Sequence, residues 1–339
     1  MLAKGSLITS NVLAKLKRQE VYKMETRSEK RTLIKTPKTI KEFSKDVYVK
    51  LVGSLWTIYH EAKLLQPKHI EKMLALVNII MEELRTKDTF LDLEGNRINL
   101  ERYKRHDFGT YTHVLNVALL SAIIGLQLSY NEHKLKNLIL GALLHDLGKL
   151  QVPKEILNKP GILTEEERDV IKQHPLLGEE MLKDARLISS VLATIKEHHE
   201  RWNGRGYPFG LKGQEIYQDA QVVAVADVYE ALTADRPYRK GLPPYQALEM
   251  IIGGSGTDFN PLCVKAFQEA LVLYPEGSLV TLNTGEIGVV AAIPLNMPTR
   301  PLLRLLFDKE GQYFNQTMYV DLMQDLTRFI RRLEFNQSK

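Results

Sequence analysis

The run Leu138-Ile139-Leu140-Gly141-Ala142-Leu143-Leu144 carries no polar side chain, and it ends on His145-Asp146. A stretch of that density belongs in a folded core, so the imidazole and carboxylate that follow it are delivered to the interior or its margin. A buried charge costs several kcal/mol unless it is paired or bound to a metal. Whatever fold the chain adopts must therefore give Asp146 a partner. The same juxtaposition recurs downstream and upstream. Asp227 sits inside Ala224-Val225-Ala226-Asp227-Val228-Tyr229, His198-His199 follows Val191-Leu192-Ala193-Thr194-Ile195, and His113 has Val117, Leu120 and Ile124 on nearby turns. His174, near the start of another apolar helical segment, completes the set.

Taken singly, each of these residues has a structural explanation. Asp146 caps a turn, His145 and His113 are hydrogen-bonded core histidines, and one of His198 and His199 faces solvent, because adjacent helical residues point about 100° apart. Taken together, seven imidazoles and carboxylates in apolar helices suit a metal centre. Nitrogen and oxygen donors without thiolates fit iron, manganese, nickel or zinc and argue against a closed cysteine zinc site. A carboxylate can bridge two ions about 3.5–4 Å apart, and water shared by such ions ionises near neutral pH. Phosphate-ester hydrolysis is the natural reaction.

Periodicity places these residues on a helical block. Apolar residues at helical spacing over residues 50–84 predict two helices joined near Pro67. Further helices are predicted over 110–128, 134–147, 164–173, 175–183, 186–200, 218–233, 243–252 and 261–272. Thr164 followed by Glu167 has the spacing of a capping box. Beyond Pro275, strands are predicted over 279–282, 287–293, 302–307 and 318–320, with turns at Asn283-Thr284-Gly285 and Lys309-Glu310-Gly311 and a short amphipathic helix over 322–332. Residues 11–18 look helical, and the polar, basic run 26–41 reads as linker or exposed surface. The expected organisation is mainly α: a helical bundle over 101–274, a smaller N-terminal region over 1–100 that regulates or dimerises, and a β-rich extension over 275–339.

Composition narrows the class. The chain has 339 residues, 44% of them apolar and 26% charged, as in folded globular proteins of two or three units. Cys263 is the single cysteine, so no internal disulfide forms. The start, Met1-Leu2-Ala3-Lys4-Gly5, lacks the apolar core of a signal peptide. The longest apolar stretch, 114–128, is interrupted by Asn116, Ser121 and Gln127 and is shorter than the roughly 20 residues a bilayer needs. A cytoplasmic protein without a membrane span is expected. The net charge of +5, concentrated in the first fifty residues, reads either as a solvated lysine-rich face or as attraction for an anionic partner.

The ordered series His145-Asp146-Leu147-Gly148-Lys149, Lys159-Pro160-Gly161, Leu163-Thr164-Glu165-Glu166, His174-Pro175 and His198-His199-Glu200-Arg201-Trp202-Asn203-Gly204-Arg205-Gly206-Tyr207-Pro208 resembles the HD-GYP family. The likeness continues through Ala226-Asp227-Val228-Tyr229-Glu230-Ala231-Leu232-Thr233, Arg236-Pro237-Tyr238-Arg239 and Phe259-Asn260-Pro261. It implies a helical HD-type bundle that hydrolyses cyclic di-GMP to the linear dinucleotide or GMP. Carried over residue by residue, it makes His113, His145, Asp146, His174, His198, His199 and Asp227 metal ligands, with Asp146 bridging two divalent ions, Fe or Mn before Ni or Zn. Three-metal members place a glutamate one turn before the first histidine; here that position is Gly109, so two ions are expected. Asp146 and Lys149 would be catalytic, and Lys149, Arg236, Arg239 and Tyr207 would contact substrate. The Gly206-Tyr207-Pro208 loop would line the entrance, support the site, or receive a diguanylate cyclase domain, and a homodimer is compatible with the family; a nucleic-acid polymer is not an expected partner. Asn203 and Asn260 stand where the family commonly has Asp. Mixed cyclic GMP-AMP or another nucleotide as substrate, and a silent cyclic-dinucleotide receptor, are the alternatives.

Overall fold

The computed structural model describes residues 44–61, 65–85, 109–235, 240–271, 273–274, 276–294 and 297–334. The predicted helix at 11–18, the linker at 26–41, and Arg236 and Arg239 lie outside the described residues. The chain divides into a helical unit spanning 39–270 and a second unit whose described residues begin at Leu271.

In the helical unit, α1 (Lys45–Glu61) and α2 (Pro67–Arg85) are separated at Pro67, which opens α2. Pro is suited to a first turn because its missing N–H would have no helical acceptor there. Both helices are amphipathic. Tyr48, Leu51, Val52, Leu55, Ile58 and Tyr59 of α1, and Ile70, Met73, Leu76, Val77, Ile80 and Met81 of α2, are buried. Alpha-helix α3 (Gly109–Gln127) runs through the centre of the unit against α1, α4 (Glu132–Leu144), α9 (Gln218–Thr233) and α11 (Pro261–Ala270). It is long and apolar enough to cross a membrane by length and composition, but 61% of its most apolar window is buried within the helical unit. Leu115, Leu119 and Leu138 at this centre are fully buried, each worth roughly 1.5–3 kcal/mol relative to exposure.

The remaining helices among the described residues are short. They are α5 (Lys154–Leu157), α6 (Glu165–Lys172), α7 (His174–Met181), α8 (Ser189–Glu197) and α10 (Pro244–Gly253). Alpha-helix α6 has the capping box: Thr164 Oγ1 accepts from Glu167 N at 3.2 Å, and the Glu167 carboxylate accepts from Thr164 N at 2.8 Å. Alpha-helix α4 stops at Leu144, three residues before the predicted end, and a 3-10 helix (Leu147–Gln151) follows. Alpha-helix α8 starts at 189 rather than 186, because Arg186 adopts a left-handed φ of 53° that no α-helix continues through.

The second unit is an antiparallel sheet ordered β4-β3-β2-β1-β5: β1 (Leu279–Leu282), β2 (Ile287–Ala292), β3 (Leu302–Phe307), β4 (Tyr313–Asp321) and β5 (Ile330–Glu334). Gly285 and Gly311, with φ of 100° and 79°, make the two predicted turns. The predicted helix over 322–332 is replaced by turns and β5. Asp321 Oδ1 accepts from Met323 N at 3.1 Å, Asp325 Oδ1 from Thr327 N at 3.1 Å, and Asn283 Oδ1 from Phe329 N at 2.8 Å. These short polar side chains take the amides a first helical turn would leave open, and the free edge of β1 takes the rest as a ladder.

Candidate metal centre

Three of the seven histidine and aspartate positions are set by one local device. His145 caps the C-terminus of α4, His174 opens α7 and His198 caps α8, and each is fully buried. In each, Nδ1 lies against the carbonyl three residues earlier: Ala142 O at 2.7 Å, Ile171 O at 2.8 Å and Ile195 O at 2.8 Å. A carbonyl can only accept, so Nδ1 carries the proton and Nε2 presents a lone pair. Helix ends have spare carbonyls, which is why these imidazoles sit there. The same bond fixes the ring's direction.

These lone pairs converge on Asp146. Its Oδ2 is 3.5 Å from His145 Nε2 and 3.5 Å from His113 Nε2, while Oδ1 is 3.4 Å from His174 Nε2. His198 Nε2 lies 3.3 Å from His174 Nε2. Asp227, from α9, places Oδ1 3.2 Å from His113 Nε2 and Oδ2 3.9 Å from His199 Nδ1. Two donor groups result, His113-His145-Asp146 and Asp146-His174-His198-His199, and within each the ligand atoms lie within 4.8 Å of one another. Asp146 is common to both, and each can coordinate a divalent metal. Glycine at 148 allows this: a Cβ there would come within 1.9 Å of His174 O.

The donor set fits a cation. Asp146 Oδ1 and His145 Nε2 are buried without a hydrogen-bond partner, and the His174 and His198 lone pairs face each other with no proton available between them. Burial first, then neighbouring imidazoles, holds His198 well below the usual histidine range. Burial also lowers His174 to about 4 and His199 to about 3. Burial opposes ionisation of Asp146, but Lys149, His145 and His113 keep its carboxyl well below the ordinary range; Asp227 is held down against burial by His113 and His199. His113 goes the other way: against burial, Glu230, Asp146 and Asp227 raise it.

Lys149, on the 3-10 helix, is part-exposed with Nζ 2.7 Å from Asp146 Oδ2. Tyr207 stacks on His199, ring centroids 4.7 Å apart. Two residues that sequence reasoning left without a role complete the arrangement. Glu230 accepts from His113 Nδ1 and from Asn116 Nδ2; its spacing of three from Asp227 on an apolar helix was the signal for it. Glu200, 2% exposed, accepts from Phe209 N at 2.7 Å, Gly210 N at 3.1 Å and Leu211 N at 3.0 Å, tying down the loop that carries Tyr207. No spacing rule announces that contact. Gly206 is required beneath the loop, since a Cβ would lie 2.3 Å from Arg201 N. Asn203 Oδ1 accepts from Arg205 N at 2.9 Å and Asn260 Oδ1 from Leu262 N at 2.8 Å, roles for which an uncharged oxygen suffices.

The HD domain family profile matches residues 71–261, more than half of the chain's 339. The chain belongs to the HD domain family. A profile described as a KOW domain associated with HD domain matches residues 279–338, the β-rich unit. Among curated relatives this HD-GYP-like chain is similar to a cyclic di-GMP phosphodiesterase of Pseudomonas aeruginosa, 38% identical over 66% of this chain and 54% of the relative. It is also similar to a cyclic di-GMP phosphodiesterase of Thermotoga maritima, 37% identical over 62% of this chain and 58% of the relative. A third, the 3'3'-cGAMP-specific phosphodiesterase 3 of Vibrio cholerae, is 35% identical over 49% of this chain and 36% of the relative. The chain thus spans about half or less of the length of these relatives.

The depressed histidines give the metal-free HD domain a pH dependence. An unfolded histidine titrates near 6.5, so between that pH and about 4 the unfolded chain binds protons that folded His174, His198 and His199 refuse. The contribution of these three is full above 6.5 and is lost as pH falls through this window, His174 accounting for on the order of 3 kcal/mol. His113 is protonated in both states there and contributes no slope. Thermal melting of metal-free protein should show Tm falling steadily from pH 6.5 to pH 4; a flat profile would contradict burial of these imidazoles.

Proposed function

We propose that the protein is a metal-dependent phosphodiesterase that hydrolyses cyclic di-GMP to the linear dinucleotide, GMP or both. The observation that carries this reading is the single carboxylate, Asp146, shared by two buried donor groups. His113, His145 and Asp146 would hold one ion, and Asp146, His174, His198 and His199 the other, with Asp227 completing the shell beside His113 and His199. Two divalent cations there supply Lewis acidity, neutralising phosphate charge and making water a nucleophile at neutral pH. These nitrogen and oxygen donors suit iron, manganese, nickel or zinc, and the family resemblance favours iron or manganese.

The chain's own groups do the rest. Lys149, part-exposed with Nζ 2.7 Å from Asp146 Oδ2, would offset charge developing on the phosphoryl oxygens. The Tyr207 ring, anchored by its stacking on His199 and by the Glu200 clamp on its loop, borders the substrate entrance. The Gly206-Tyr207-Pro208 loop, with Phe209 52% exposed beside it, is the surface we assign to a partner such as a diguanylate cyclase domain. Arg236 and Arg239 would hold phosphate or guanine through planar guanidinium groups.

Anaerobically purified protein, assayed for metals and then incubated with cyclic di-GMP, should yield linear dinucleotide or GMP by chromatography. Mixed cyclic GMP-AMP belongs in the same assay, because the 35% identical Vibrio cholerae relative is named for that substrate. Lys149→Ala should lower turnover by about 10²–10³-fold when compared with wild type at equal metal loading. Tight binding of cyclic di-GMP by metal-loaded protein without product would make the chain a receptor instead.

A further inference from the structure

Helix α1 ends before the stretch matched by the HD domain profile, 71–261, yet it reaches the metal centre. Tyr48, 1% exposed, donates its hydroxyl to Asn116 Oδ1 at 2.8 Å. That bond decides which way the amide points, because an asparagine whose oxygen is engaged must turn its NH2 to the opposite side. Asn116 Nδ2 accordingly donates to Glu230 Oε1 at 3.3 Å, and the other Glu230 oxygen accepts from His113 Nδ1. His113 is left with Nε2 toward Asp146 and Asp227. Burial and the Glu230 charge raise the Tyr48 hydroxyl's pKa, so it stays a donor.

A second contact from α1 points to the same place. Tyr59 donates to Leu143 O at 2.6 Å in the last turn of α4, just ahead of His145 and Asp146. The carbonyls of that turn have no helical partner; Ala142 O takes His145 Nδ1 and Leu143 O takes Tyr59. Helix α1 thus reaches the residues behind His113 through Asn116 and the helical turn ahead of His145 through Leu143 O.

We propose that Tyr48 and Asn116 are positioning residues of the metal centre, a relay from helix α1 that fixes Glu230 and through it the direction of His113. Without the Tyr48 hydroxyl, Asn116 loses the bond that holds its oxygen, so its amide plane is no longer fixed and its 3.3 Å donation to the Glu230 carboxylate weakens. The carboxylate then loses a donor and His113 loses its fixed partner. The proposal rests on the two-metal reading, and it concerns one donor group, since His174, His198 and His199 take their direction from other carbonyls and rings.

The test is titration of Mn2+ into the metal-free 339-residue chain by calorimetry, for wild type, Tyr48→Phe, Asn116→Ala and the double variant, with metal-free Tm measured alongside. Wild type should show two binding events. Tyr48→Phe should weaken one of them by about 3–10-fold, less than the roughly 10–100-fold expected when an outer partner that directly touches a ligand is removed. Asn116→Ala should weaken the same event at least as much, and the double variant no more than Asn116→Ala, because the two residues act in series. Three results would overturn the relay: Tyr48→Phe binding both ions within twofold of wild type while its metal-free Tm drops, both events weakening equally, or additive losses in the double variant. Wild-type protein that binds no Mn2+ would instead remove the two-metal reading, and the relay with it.

Discussion

Replacing Asp146 by Ala is expected to remove turnover, by at least about 10³-fold or some 4 kcal/mol of transition-state stabilisation, and to leave the protein unable to retain two metal ions. The reason is geometric. Asp146 is the one residue common to both donor groups, so its loss takes a ligand from each. It also takes the counter-charge from Lys149, whose Nζ sits 2.7 Å from Oδ2, and from His113. Asp146→Asn keeps the shape and one carbonyl oxygen but not the charge, and should retain at most one ion with turnover equally low. Metal analysis and chromatographic assay of both variants check this. Wild-type turnover in Asp146→Ala would refute the bridging role.

Gly148→Ala should be the most damaging change that touches no functional group. An added Cβ would meet His174 O at 1.9 Å and Gly178 N at 2.5 Å, both backbone atoms that cannot rotate away. Either the 3-10 helix bearing Lys149 or helix α7 must shift, and His174 opens α7. Overpacking of this kind costs about 3 kcal/mol or more. At ~2–4 °C per kcal/mol for a domain of this size, Tm should fall by about 6–12 °C. Metal retention should fall with it, because His174 and Asp146 no longer meet. Gly53→Ala is the matched control: nothing lies within 4 Å of a Cβ there, on the exposed side of α1, and the change should be neutral or slightly stabilising. If Gly148→Ala melts like Gly53→Ala and keeps its metals, the packing of the 3-10 helix on α7 is wrong.

Much of the helical unit was readable because burial and helical period coincide: α3, α4 and α9 carry apolar residues on nearly every face, and the few charges they carry stand out. That contrast exposes Asp227 within α9 and Asp146 two residues beyond the end of α4. It does not expose the His Nδ1-to-carbonyl bonds at residues 145, 174 and 198, which depend on where each helix stops, and helix ends are set by caps and by residues such as Arg186. Glu200 escaped because its partners are backbone amides nine to eleven residues on, reached by a loop whose path no periodicity encodes. Strand β5 escaped for another reason. Leu322, Leu326, Ile330 and Leu333 have helical spacing, but the amides between them are claimed by Asp321, Asp325 and Asn283, and the open edge of β1 decides the outcome.

Crystals of protein purified with manganese and measured at the manganese absorption edge test the centre most directly. Two anomalous peaks should appear, one on either side of the Asp146 carboxylate, the first among His113 and His145 and the second among His174, His198 and His199. A single peak away from Asp146, or none with these side chains in the positions described, would contradict the assignment of a shared two-metal site.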